Sequence, residues 1–127
     1  MSFVKLCLNQ NYGNYSHKDS SEDGMYILGF FLTDDVGSHT TSFMEWGLTN
    51  KWKNDETNGN CTFLQKEGNY ILLSDLYSEE TIPTVLRLTK EQYRQILTDW
   101  KEKVCKLMPK EVTITYDNDE FVIETKD

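Results

Sequence analysis

Hydrophobic residues fall along this chain in short blocks separated by polar runs, and the period within each block predicts the elements. Residues 3–8 (FVKLCL) read as a strand. Residues 9–24 are polar, with Gly, Asn and Ser throughout, and read as a long loop. Residues 25–32 (MYILGFFL) form a continuous apolar run that suits a strand buried on both faces, with Gly29 marking a close approach or a bulge. Residues 38–53 are expected to be helical, with Phe43, Trp46, Leu48 and Trp52 on the apolar side. A turn at 54–60 leads to a hairpin, 61–66 and 69–76, with Glu67-Gly68 at its tip. Residues 78–83 are a loop, and 84–88 follow Pro83 as a short edge strand.

The strongest pattern is a helix over 90–107. Thr89 and Gln92 stand at capping-box spacing, and Tyr93, Ile96, Leu97, Trp100, Val104 and Leu107 recur as one buried stripe. Pro109 ends it. Residues 111–116 and 120–125 alternate as a hairpin around Asp117-Asn118-Asp119, with Val112, Ile114, Tyr116, Phe121 and Ile123 on the dry face. Hairpins mixed with helices, without regular strand–helix alternation, predict an α+β fold: one domain over 1–127, a largely antiparallel sheet packed against two helices.

Charge changes this picture more than composition does. The chain has 13 basic and 21 acidic residues, a formal net charge of −8. Residues 90–110 hold six bases against three acids, so the acid is concentrated elsewhere. One cluster is Asp19, Glu22, Asp23, Asp34 and Asp35; a second is Asp75, Glu79 and Glu80; a third lies on the C-terminal hairpin. Such clusters either solvate loops or, lying on connections, form a binding surface. A field of this sign attracts a basic partner and repels phosphates, so direct nucleic-acid binding is not expected. Tyr12, Tyr15 and Tyr77 lie in or beside the acidic loops, as recognition side chains or as cover for the core's edge.

The residues of chemistry are sparse. Cys7, Cys61 and Cys105 with His17 and His39 show no metal-ligand spacing, so buried, reduced cysteines are expected, with no metal and no cofactor. Asp34 and Asp35, adjacent on a strand, would point to opposite faces and could not share a substrate atom. No phosphate-binding or calcium loop is present. The chain is therefore read as a binding protein and not an enzyme. No apolar run reaches membrane-spanning length and no secretory leader is legible, so a cytoplasmic location is expected.

In its small size, its acidity and the run NYILLSDLYSEETIPTVLRLTKEQYRQILTDWKEKV, the chain resembles bacterial immunity proteins of the contact-dependent growth inhibition type and related polymorphic-toxin systems. The resemblance implies that it binds and neutralises the C-terminal toxin domain, a basic nuclease, of a cognate exported protein. Asp19, Glu22, Asp23, Asp34, Asp35, Asp75, Tyr77, Glu79 and Glu80 are the expected partner-binding residues. A cytosolic adaptor for a basic protein segment shares the same acid, and a small enzyme is a further alternative.

Overall fold

A computed structural model describes residues 1–49 and 54–127. Eight strands form two antiparallel sheets. The first has the order β2-β1-β7-β8, from β1 (Ser2–Asn9), β2 (Asn14–Ser20), β7 (Glu111–Asp117) and β8 (Glu120–Lys126). The second runs β3-β4-β5-β6, from β3 (Glu56–Asn58), β4 (Thr62–Glu67), β5 (Tyr70–Asp75) and β6 (Val85–Thr89). Three helices are present among the described residues: α1 (Asp23–Phe30), α2 (Thr40–Leu48) and α3 (Lys90–Asp99). Helices α1 and α3 each continue into a wider π-helical stretch, Phe31–Val36 and Trp100–Cys105.

Between them, α1 and α3 tie the sheets into one core. Helix α1 touches β1 and β2 on one side and β5 and β6 on the other, while α3 touches β8, β5 and β6. Val4, Leu6, Val112, Ile114, Phe121 and Ile123 come from the first sheet, and Leu64, Ile71, Leu73 and Leu88 from the second. The α+β class therefore holds, with the antiparallel strands divided into two sheets and a third helix added.

That helix is the run MYILGFFL, expected as a strand. A run apolar on nearly every side fits a buried helix as well as a buried strand, and here the space between two sheets takes the helix. Gly29 keeps its expected role: a Cβ there would lie 2.8 Å from Val4 Cγ2, so the glycine lets α1 close onto β1. The polar stretch 9–24 is also corrected. Its second half is β2, an edge strand whose ladder with β1 is made by backbone groups while most side chains face water. Gly13, at φ +69°, completes the turn that reverses the chain. Tyr15 on β2 turns inward, edge-on to Trp100 with its hydroxyl donating to the Pro109 carbonyl. It belongs to the core rather than to a recognition surface.

Other expectations hold with shifted ends. The middle hairpin turns at Gly68-Asn69, one residue later than expected, with Gly68 at φ +60°. Residues 54–60 include the short strand β3. Of the helix expected over 38–53, Thr40–Leu48 is helical, and Lys51, Trp52 and Lys53 lie outside the described residues. The Thr89–Gln92 capping box forms reciprocally. Trp100 is 2 % exposed, and its indole N–H donates to the Gly37 carbonyl at 2.9 Å. Leu107 leaves the stripe, 70 % exposed, because the helix ends at Cys105 and Leu107 lies in the turn that follows. The C-terminal hairpin turns through Asn118 and Asp119, both at positive φ, as a tight two-residue turn demands.

Candidate functional site

Helix α1 buries Met25, Ile27, Leu28 and Gly29 and leaves Tyr26 41 % exposed, with Phe30 half-buried one turn on. Four residues apart on a helix, the two rings meet, with centroids 4.7 Å apart. The imidazole of His17, from β2, packs edge-on against Tyr26 at 4.7 Å. The result is a small aromatic surface on the outer side of a rigid helix.

The end of β5 lies against this surface. Asp75 closes the strand, and one of its carboxylate oxygens accepts the Tyr77 backbone N–H at 2.9 Å. Leu76 N–H donates to the Cys61 carbonyl at 2.9 Å, which fixes the turn to the start of β4. The backbone of Tyr77 is thereby fixed, while the residue is 71 % exposed. Tyr26, Ile27, Phe30, Cys61, Thr62, Asp75 and Tyr77 line a cavity of about 220 Å³. A second cleft of about 170 Å³ shares Tyr26, Ile27 and Asp75 and adds Asp23, Ser78, Glu80 and Thr84. The two adjoin as one groove, aromatic in the first part and acidic in the second.

Four of the nine expected binding residues, Asp23, Asp75, Tyr77 and Glu80, thus meet from two segments, the start of α1 and the stretch 75–80. Asp34 stands beside them, its carboxylate 3.7 Å from the Cys61 sulfur. Asp35 is turned inward. It accepts the Cys61 N–H at 2.9 Å and packs on Gly59, where a Cβ would lie 2.5 Å from its Cγ. That makes it a tie between the end of α1's π-helical stretch and β4. Glu79 is exposed on the 78–84 loop and lines neither cavity. Glu22 flanks the start of α1, where hydrogen bonds from Ser2 and Ser21 hold its carboxyl below the usual range. Asp19 pairs across the ladder with Lys5 and accepts the Ser20 N–H. Tyr12 is 81 % exposed at the β1–β2 turn, away from the groove. Tyr26, Phe30 and His17 escaped the sequence reading. At helical spacing Tyr26 and Phe30 share a face, but the run containing them was assigned the strand period.

Among the described residues the groove's acid has no ion-pair partner. The ion pairs among the described residues are Lys18–Glu111, Arg94–Glu91 and Lys106–Glu102, all elsewhere. By contrast, the open cleft of about 530 Å³ between β6 and α3 carries both signs, Arg87 with Glu91 and Asp119. The three cysteines are free and half-buried, more accessible than expected. Burial pushes the Cys61 thiol up, and the nearby charges of Asp34, Asp35 and Asp75 push the same way. A thiol so placed stays protonated near neutral pH and is a poor nucleophile. Among the described residues no three His, Cys, Asp or Glu side chains are grouped to hold a metal ion. No described helix is long and apolar enough to cross a membrane. No protein-family model, curated protein or solved structure matches the chain.

Proposed function

We propose that this chain is a stoichiometric protein inhibitor, a cytoplasmic immunity protein that binds and neutralises a basic toxin domain through the groove between α1 and β5. The observation that carries the reading is the convergence of Asp23, Asp75 and Glu80 on exposed aromatic rings, with no cation paired to them among the described residues. Aromatic anchors inside a polar, solvent-accessible rim are a common plan of protein interfaces. Carboxylates of one sign speed encounter with a basic partner and select against acidic ones. A nuclease surface built to receive phosphates is such a partner.

The test pairs the chain with the C-terminal domain of an exported protein encoded beside it. That domain is expected to arrest growth when produced alone, to be silent when co-produced with this chain, and to co-purify with it in a one-to-one complex. A neighbouring domain that arrests growth equally in both cases would overturn the proposal, as would a neighbourhood that encodes no such domain.

A further inference from the structure

We propose that the 220 Å³ cavity is a socket for one arginine side chain of the protein partner; this deepens the reading above and rests on it. Its lining divides by chemistry. Tyr26, Phe30 and Tyr77 supply aromatic faces, Ile27 supplies an apolar contact, and Asp75 supplies a fixed carboxylate. One oxygen of Asp75 is engaged by the Tyr77 N–H, and the other takes no hydrogen bond among the described residues. The adjoining cleft adds Asp23 and Glu80 around the same Asp75.

A cation is the complement of that rim. The space is several times the roughly 30 Å³ that one water occupies in the liquid, so it is large enough for a side chain. A guanidinium fits better than an ammonium. It is planar and stacks on aromatic faces, it is weakly hydrated and so is desolvated at lower cost, and its fork of donors can reach two carboxylates at once. Its three-carbon stem lies along Ile27 and Phe30. Recognition then resides in one anchor: the helix carries Tyr26 and Phe30, and Asp75 fixes the backbone from which the Tyr77 ring closes over the site.

The experiment is a nuclear magnetic resonance titration of the full chain with three capped tripeptides, Gly-Arg-Gly, Gly-citrulline-Gly and Gly-Leu-Gly, at low ionic strength. It requires no toxin, so its result stands apart from the growth test. The arginine peptide is expected to shift the resonances of Tyr26, Phe30, Thr62 and Tyr77 saturably, and the other two are expected to leave them in place. Tyr77→Ala, at an exposed position, is expected to weaken the arginine peptide about fivefold through the lost ring contact. Asp75→Asn, close in shape, is expected to weaken it about tenfold or more. The socket is refuted if the leucine peptide binds there as well as the arginine peptide. It is refuted equally if the arginine peptide shifts only scattered acidic residues, or if neither substitution changes its affinity.

Discussion

Trp100 is the side chain on which the two ends of the core depend, and replacing it gives a graded test of the packing. It begins the π-helical stretch after α3, packs edge-on to Tyr15 at 5.9 Å, and donates to the carbonyl of Gly37, where α1's own π-helical stretch ends. At 2 % exposure nearly the whole indole is removed from water. Burial of an aromatic of this size covers about 150–250 Å², or roughly 4–6 kcal/mol at 25 cal/mol per Å². Measured Trp→Ala changes in cores cost about 3–5 kcal/mol, because partial collapse recovers some contact. Trp100→Phe keeps most of the ring contact and loses the N–H bond. The Gly37 carbonyl is still approached by the Cys105 sulfur at 3.2 Å, so it is not left bare. That variant should cost about 1–2 kcal/mol. The assay is urea unfolding followed by far-ultraviolet circular dichroism. With a slope near 2 kcal/mol per molar, Trp100→Ala should lower the midpoint by roughly 2 M and Trp100→Phe by roughly 0.5–1 M. Equal midpoints for wild type and Trp100→Ala would refute the burial, and equal losses for Phe and Ala would refute the ranking of ring contact over the hydrogen bond.

Two further outcomes follow from particular contacts. Gly47→Ala would ordinarily stabilise a helix by about 1 kcal/mol. Here the added methyl would lie 2.6 Å from Tyr93 Cε2, on a ring that is buried and held by its hydroxyl bond to the Phe43 carbonyl. Overpacking of about 1–3 kcal/mol should win, lowering the thermal midpoint by about 4 °C, and a raised midpoint would show that the ring gives way. For Tyr15, burial, with the charges of Cys105 and Asp127 behind it, pushes the phenol up to about 12, against about 10 in the unfolded chain. The neutral phenol therefore adds stability that is complete below pH 10 and is lost between about pH 10 and 12. Tyr15→Phe should be about 1 kcal/mol less stable at neutral pH and should decline less steeply above pH 10; identical alkaline slopes would contradict this.

The legible part of the fold was the part with an unambiguous period. The capped stripe of α3 and the C-terminal hairpin each have one wet and one dry face, and the chain folds them as their spacing demands. The illegible part was what neighbours decide. MYILGFFL is hydrophobic at every position but Gly29, so only the two sheets around it select helix over strand. NYSHKDS has almost no apolar signal, because an edge strand is specified by the backbone of its neighbour. The candidate site followed the same division. Asp75 and Glu80 were visible as acid beside a strand end, with Tyr77 between them, and the approach of the two acids to Asp23 required α1 to be a helix between the sheets. Tyr26 and Phe30 became a pair only at helical spacing. Asp35 looked like surface acid and proved to be a tie to Cys61, a contact across 26 residues that no local pattern encodes.

The most direct measurement of the central claim is the association rate of the chain with the toxin domain across a salt series. The arms are wild type, an Asp75→Lys/Glu80→Lys variant of the groove, and a Glu120→Lys/Glu124→Lys control on β8. Raising salt from 0.01 to 0.15 M shortens the screening length from about 30 to about 8 Å, so the wild-type rate should fall by about tenfold or more. The groove variant should associate slowly at every salt concentration, and the control should track the wild type apart from its smaller net charge. Rates that ignore salt, or a groove variant indistinguishable from the β8 control, would contradict the assignment of the acidic groove as the binding surface.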